Sequence, residues 1–153
     1  MAERIAIVSD HAAYELKARI AEYLRSFDCE VLDLGTTSTD SVDYPDYGYK
    51  MAQAIAGGEA NRGIALCGSG VGISIAINRH PACRCALVSD PYTAALAREH
   101  NDANVLALGA RLIGEDMARA CVASFVVGHF AGGRHQRRVD KLSNPAFDIE
   151  EPA

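Results

Sequence analysis

The sequence lacks the long apolar segments that mark secreted and membrane-spanning proteins. No apolar run is long enough to cross a bilayer, and the first residues, Met1–Arg4, lead into a strand pattern without a signal-like apolar region. These absences argue against a membrane protein. We therefore expect a cytoplasmic location.

An excess of basic residues is also absent. The 15 Lys and Arg residues are outnumbered by 20 Asp and Glu residues, so the net charge is -5 and the pI is about 5.5. Because binding to a phosphate backbone needs a basic surface, nucleic acid is not expected as a partner. A small anionic ligand remains compatible with this charge, since a few local Arg and His side chains could hold it.

Cysteines with the spacing of a zinc site or a disulfide framework are missing as well. The five cysteines are Cys29, Cys67, Cys83, Cys85 and Cys121, an odd number without a CxxC pair. Cys83 and Cys85 would share one face of a strand, which suits neither a common zinc site nor a disulfide. We expect reduced and mostly buried thiols, no metal site and no cofactor.

What the chain does contain is a regular alternation of strand and helix patterns. Its 153 residues predict a single domain over 1–153, with a loose C-terminal tail over about 144–153. The predicted strands are 5–8, 29–34, 63–67, 84–88 and 104–108, and the predicted helices are 12–26, 46–57, 71–78, 91–101 and 115–127, with a further helical start after 132–138. Such β-α repeats predict an α/β fold, a Rossmann-like three-layer sandwich in which helices cover both faces of a five-stranded parallel sheet.

In sheets of this kind, ligands bind beyond the carboxyl ends of the strands. Four segments of the sequence fall at those ends. They are Asp10-His11, Cys67-Gly68, Ser89-Asp90 and Gly109-Ala110-Arg111.

The segment after the third strand carries the clearest signal. Cys67 is followed by Gly68-Ser69-Gly70-Val71-Gly72, a turn that can point backbone N–H groups at an anion and favour the thiolate form of the cysteine. A buried structural cysteine beside a tight turn explains the residues about equally well. A dinucleotide-binding loop is disfavoured, because the spacing is GxGxG and the turn follows the third strand instead of the first.

Three other groups of residues are weaker evidence for a functional site when each is considered alone. Asp10-His11 could act on a ligand or merely cap a helix, and His100 could simply favour a helix C-terminus. Arg134 and Arg138 are four residues apart, so on a helix they could grip one phosphate, although a solvated basic surface is an equally plain interpretation.

Taken together, these groups suit proton abstraction beside a carbonyl. Aldose–ketose interconversion needs an acid to open the sugar ring and a base to move one proton between neighbouring carbons. It also needs hydrogen-bond donors that stabilise the enediolate oxyanion and side chains that bind the remote phosphate group.

The motifs resemble those of the B-type ribose-5-phosphate isomerases, in the superfamily that also holds galactose-6-phosphate isomerase subunits. The resemblance covers roughly residues 4–145. The matching motifs are Ser9-Asp10-His11, Asp43-Tyr44-Pro45, Ala56-Gly57-Gly58-Glu59, Cys67 to Ala76, Glu99-His100-Asn101-Asp102 with Asn104-Val105-Leu106, Gly109-Ala110-Arg111, and Gly132 to Gln136 with Arg138-Val139.

The resemblance implies a role for each matching residue. Cys67 would be the catalytic base and His100 would assist ring opening. The enediolate would be held by the amides of Gly68, Ser69, Gly70, Val71 and Gly72, the sugar hydroxyls by Asp10 and Asn101, and the phosphate by His11, Arg111, Arg134 and Arg138. Members of the family form dimers, often tetramers, and build each site from two subunits.

The resemblance implies interconversion of ribose 5-phosphate and ribulose 5-phosphate without a cofactor. Relatives also act on allose, galactose or four-carbon sugar phosphates, and no single residue of the sequence decides between these substrates. A nucleotide-binding module that uses the glycine turn as a phosphate cradle is the alternative from another class.

Overall fold

The computed structural model of the chain describes residues 3–147, and its fold is a five-stranded, fully parallel sheet covered by helices on both faces. The strands are β1 (Glu3–Ser9), β2 (Cys29–Asp33), β3 (Arg62–Cys67), β4 (Cys85–Leu87) and β5 (Val105–Gly109). The helices are α1 (Tyr14–Arg25), α2 (Tyr44–Ala56), α3 (Val71–Ile77), α4 (Pro91–Asn101), α5 (Glu115–Val127) and α6 (Gln136–Ser143). The α/β fold class predicted from the sequence is confirmed.

The predicted elements all form, and their ends differ from the predicted bounds by a few residues for local reasons. Residues His11–Ala13 form a short 3-10 turn before α1, because the Asp10 carboxylate accepts a hydrogen bond from the Ala12 N–H. Helix α2 begins at Tyr44, where Pro45 supplies the fixed φ that suits a first helical turn. A second 3-10 turn, Gly133–His135, precedes α6.

The predicted C-terminal tail lies only partly within the described residues. Residues 144–147 follow α6 without forming a helix or a strand. The remaining tail residues, 148–153, lie outside the described residues.

Two apolar layers hold the helices against the sheet. One layer joins the sheet to α1, α4 and α5 through side chains such as Ile20, Ala94 and Phe125. The other joins the opposite face to α2 and α3 through Met51 and Ile73. The central strands are therefore buried on both sides, which explains why β1 reads as the unbroken apolar run Ile5–Val8.

The order of the strands determines where a ligand site can form. The sheet runs β2-β1-β3-β5-β4, so the chain leaves β1 toward one side of the sheet and leaves β3 toward the other. Helix α1 follows β1 on one face and α3 follows β3 on the opposite face. The two connections diverge and open a crevice at the carboxyl ends of β1 and β3.

An ion pair between a buried lysine and an exposed aspartate ties α1 to the end of β2. The Lys17 Nζ lies 2.7 and 2.8 Å from the two carboxylate oxygens of Asp33. The Lys17 side chain is only 3% exposed, whereas that of Asp33 is 43% exposed. Asp33 also accepts a hydrogen bond from the Gly35 N–H, so one carboxylate holds both the helix and the following loop.

We expect Asp33→Ala to lower the free energy of unfolding by about 1–3 kcal/mol, because it leaves the buried Lys17 ammonium without its counter-charge. Urea unfolding followed by circular dichroism measures this change. Glu30→Ala is the matched control, since the Arg4–Glu30 pair is exposed and should contribute less than about 1 kcal/mol. Equal losses in the two variants would contradict this account of the buried Lys17 ammonium.

Candidate active site

The crevice between β1 and β3 is a pocket of about 530 Å³ that combines polar and apolar side chains, and we call it the carboxyl-edge pocket. It contains side chains from the ends of three strands and from α2 and α3. Its lining residues are Asp10, His11, Ala12, Tyr44, Cys67, Gly68, Ser69, Val71, Gly72, Ile75, Arg111 and Leu112. The segments after β1, β3 and β5 that were predicted to converge therefore lie together.

Cys67 lies at the base of this pocket, and its side chain is held by the glycine turn. The residue is 4% exposed, and the Gly70 N–H donates a hydrogen bond of 3.1 Å to its Sγ. Gly70 has a φ of +78°, a left-handed conformation that favours glycine, and a Cβ there would lie 2.6 Å from the Leu87 side chain. This hydrogen bond fixes the position of the sulfur within the pocket.

The turn packs very closely on the end of β5. A Cβ added at Gly109 would lie 2.5 Å from the carbonyl oxygen of Ser69. The Ala110 N–H donates to the Cys67 carbonyl at 2.9 Å, and the Arg111 N–H donates to the Gly68 carbonyl at 2.9 Å. This backbone pairing brings the Arg111 guanidinium over Gly68, in the same pocket as Cys67.

His11 is oriented by the loop between β2 and α2. Its Nδ1 accepts a hydrogen bond of 3.0 Å from the Val42 N–H. Because Nδ1 is an acceptor, the proton of the neutral ring lies on Nε2, which leaves an N–H donor free for a ligand in the pocket. The Asp10 carboxylate also caps the 3-10 turn, so the capping interpretation of Asp10 is confirmed and does not remove it from the pocket wall.

The other predicted site residues lie at the opposite edge of the sheet. Helix α4 starts after the carboxyl end of β4, runs for 11 residues and ends at His100-Asn101, a length of about 16 Å. The residues that follow lead directly into the amino end of β5, where the Asn104 carbonyl accepts from the Gly63 N–H at the start of β3. His100 and Asn101 are therefore separated from Cys67 by the length of the sheet.

The C-terminal segment joins His100 at this edge. The Ala131 N–H donates to the Glu99 carbonyl at 3.0 Å, and the ring of His135 stacks on that of His100 with a centroid distance of 4.3 Å. We use the name amino-edge group for His100, Asn101, Arg134, His135 and Arg138. Partial desolvation lowers the pKa of His135, and the charges of His100, Arg134 and Arg138 lower it further.

The predicted site thus falls into two halves on one chain. The grouping of Arg111 with Arg134 and Arg138 is not realised within the chain, because Arg111 lies at the carboxyl edge. Asn101 lines a separate cavity beside β4 together with Cys85.

Several residues of the carboxyl-edge pocket carried no assigned role in the sequence interpretation. They are Ala12, Tyr44, Ile75 and Leu112. Tyr44 lies within the Asp43-Tyr44-Pro45 motif, which was the available signal, and a Cβ on Gly72 would meet its ring at 2.5 Å. The apolar members have no comparable signal, because an exposed Ile75 or Leu112 looks like any surface residue until the pocket is formed.

The cysteines other than Cys67 are placed for packing. All five are unpaired, as predicted. Burial raises the pKa of Cys83 to about 11, and burial also raises the pKa values of Cys85 and Cys121. Within residues 3–147, no three His, Cys, Asp or Glu side chains are grouped as metal ligands, and no helix of that part of the chain has the length and apolar character needed to span a bilayer.

A parallel α/β sandwich whose switch-point pocket contains a thiol, a histidine and an arginine has the layout of an enzyme that acts on small molecules. Residues 5–142 match the model of a family described as Ribose/Galactose Isomerase. The chain therefore belongs to the Ribose/Galactose Isomerase family, and the resemblance seen in the sequence motifs is confirmed.

Named relatives agree with this assignment over nearly the whole chain. The ribose-5-phosphate isomerase B of Escherichia coli is 44% identical over 141 residues, which cover 92% of this chain and 95% of that protein. A solved structure of the enzyme of that name from Clostridium thermocellum is 49% identical, with a TM-score of 0.90 over 92% of this chain and 95% of that chain. The type B ribose 5-phosphate isomerase of Trypanosoma brucei is 41% identical, with a TM-score of 0.91 over 94% of this chain and 98% of that chain.

We expect Gly109→Ala to lower isomerase activity at least about tenfold, because the added methyl group displaces the Ser69 backbone and with it the Cys67 turn. Gly114→Ala is the matched control, since a Cβ there meets nothing within 4 Å, and it should change activity less than about twofold. Steady-state assays and thermal melts of both variants measure the effect. A fully active Gly109→Ala enzyme would show that this contact does not hold the turn in place.

Proposed function

We propose that the chain interconverts ribose 5-phosphate and ribulose 5-phosphate through an enediolate, with Cys67 as the base. The observation that carries this proposal is the position of the Cys67 thiol, in contact with the Gly70 N–H and in one pocket with His11 and Arg111. The names of the relatives support the choice of substrate.

Proton transfer is the step assigned to Cys67. In the open-chain aldose, the thiolate removes the proton from C2, and the electron pair moves onto the carbonyl oxygen to form the enediolate. The resulting thiol returns the proton to C1 while the O2 hydroxyl proton passes to O1 and the carbonyl forms at C2, so no atom is gained or lost. The N–H groups of the turn Gly68–Gly72 stabilise the negative charge on the oxygens, as donors do in an oxyanion site.

Ring opening is assigned to His100, and recognition of hydroxyls to Asp10 and Asn101. A histidine is suited to this proton transfer because its ring nitrogens can both donate and accept a proton. The phosphate would be held by the Nε2–H of His11, by Arg111 and by the pair Arg134 and Arg138, whose guanidinium groups bind phosphate oxygens in pairs.

Because His100 and Cys67 lie at opposite edges of one chain, we propose that each site is completed by a second copy of the chain. A two-fold dimer that sets the amino-edge group of one copy against the carboxyl-edge pocket of the other forms two identical sites. The rim of the pocket is suited to such a contact, since Val71, Ile75 and Leu112 are 45%, 59% and 67% exposed. A homotetramer built from two such dimers is compatible with the same contact.

We further propose that the enzyme needs no cofactor and works in the cytoplasm, within the pentose phosphate pathway. The chemistry requires only an acid, a base, oxyanion donors and a phosphate grip, and the chain offers candidates for each. The same catalytic and binding groups could act on another sugar phosphate, so kcat/KM must be compared across several sugar phosphates to identify the substrate.

We expect Cys67→Ala to lower kcat for ribose 5-phosphate by at least about 1,000-fold, because it removes the proposed base. Cys29→Ala, at the start of β2, is the control and should retain wild-type activity. The assay uses purified protein without added metal and compares kcat/KM for ribose, allose, galactose and four-carbon sugar phosphates. Wild-type turnover in Cys67→Ala would disprove the role of Cys67 as the base. A higher kcat/KM for another sugar phosphate would make that compound, and not ribose 5-phosphate, the preferred substrate.

The shared site can be tested by mixing two inactive variants. Cys67→Ala and His100→Asn are co-expressed with different tags and purified as a heterodimer. In the proposed dimer one site carries both substitutions and the other carries neither, so about half of the wild-type activity returns. A site contained in one chain predicts no recovery, which would refute the two-copy arrangement.

A further inference from the structure

The end of α4 is held by a group of charged side chains that the proposed reaction does not use. Asp102, directly after His100-Asn101, accepts a hydrogen bond of 3.0 Å from the Arg98 Nη1 at its Oδ1. Its Oδ2 lies 3.4 Å from the Arg84 Nη2, and its carbonyl accepts from the Arg84 Nε at 2.9 Å. Both guanidinium groups are largely buried, at 19% and 11% exposed for Arg84 and Arg98.

The backbone at Asp102 has an uncommon conformation. Its φ is +46° and its ψ is +43°, and its N–H donates to the Ala97 carbonyl, so it ends the helix as a left-handed cap. A non-glycine residue costs energy in this region, and the two arginine contacts offset that cost. A closed helix end holds the preceding side chains in place, whereas last turns without such a cap fray.

Arg84 also reaches the C-terminal helix. Its own backbone is fixed directly before β4, where its N–H donates to the Asn104 Oδ1 at 2.8 Å. The side chain then donates through Nη1 to the Ser143 Oγ at 3.3 Å, at the last residue of α6. One guanidinium therefore contacts both the cap that follows His100 and the helix that carries Arg138.

We propose that Asp102, which accepts hydrogen bonds from Arg84 and Arg98, is a positioning residue that fixes His100 for ring opening. Through its second contact, Arg84 also fixes the position of α6 relative to Asp102. The inference rests on the proposed function of His100. The competing explanation is a helix cap that contributes stability and nothing else.

The two explanations differ for substrates that form rings and substrates that cannot. Ribose 5-phosphate exists mainly as a furanose and must be opened, whereas erythrose 4-phosphate cannot close a five-membered ring because its C4 oxygen carries the phosphate. A displaced His100 impairs the first substrate selectively. A weakened scaffold impairs both substrates equally.

The test variant is Asp102→Gly, which keeps the left-handed backbone without strain and removes the carboxylate. We expect kcat/KM for ribose 5-phosphate to fall at least about tenfold and that for erythrose 4-phosphate less than about threefold. Asp102→Asn, which keeps an acceptor oxygen and tolerates the same φ, should recover part of the loss. Equal losses on the two substrates would overturn the proposal.

Asp90→Ala is the matched control, because Asp90 caps the other end of the same helix through the Thr93 N–H at 2.8 Å. It should leave the ratio of the two substrates unchanged, and thermal melts show whether all variants fold. Arg84→Gln should reproduce the ribose 5-phosphate defect and raise KM for both substrates, since it also releases α6. A wild-type substrate ratio in Arg84→Gln would exclude it as a positioning residue.

A spectroscopic measurement tests the same inference without turnover. Nitrogen-15 spectra of the histidine rings should show the His100 signals shifted in Asp102→Gly and unshifted in Asp90→Ala. Unshifted His100 signals in Asp102→Gly would overturn the positioning role. A wild-type enzyme that turns over neither sugar phosphate would instead refute the proposed function, and the spectra would still report on His100.

Discussion

The parallel direction of the five strands is the constraint on which the rest of this structure depends. Because every strand starts at the same edge, each crossover helix must carry the chain from the carboxyl edge back to the amino edge. Cys67 ends β3 and His100 ends α4, so the two residues lie at opposite edges. No change of side-chain rotamer can join them within one chain, and the proposed two-copy site follows from this separation.

Close approach of the backbone is the second condition for the pocket. The Cys67 turn can lie against the end of β5 because Gly109 has no side chain, and the turn can lead into α3 because Gly70, whose N–H contacts the sulfur, adopts a positive φ at little cost. The same contact brings Arg111 over Gly68. The small residues at this point therefore position a thiol, an N–H donor and a guanidinium together.

Much of the fold was predictable because its signals are local. The apolar run Ile5–Val8 marks a strand buried on both faces, and Asp90-Pro91 marks a helix start whose capping hydrogen bond is formed. The placement of Cys67 and Asp10 at one edge was also predictable, since the carboxyl ends of parallel strands share an edge. The contact between Asp102 and Arg84 was not, because Arg84 is 18 residues away along the chain.

The sequence by itself determined the alternation of strands and helices, the cysteine at the head of a glycine turn and the family to which the chain belongs. These depend on residue type and short spacing, which are read directly. The tertiary structure decided which of the candidate residues meet. It brought His11 and Arg111 into one pocket with Cys67, and it placed His100 with His135 at the amino edge of the sheet. Contacts between distant segments are set by strand order and packing, so they cannot be predicted from the local sequence pattern.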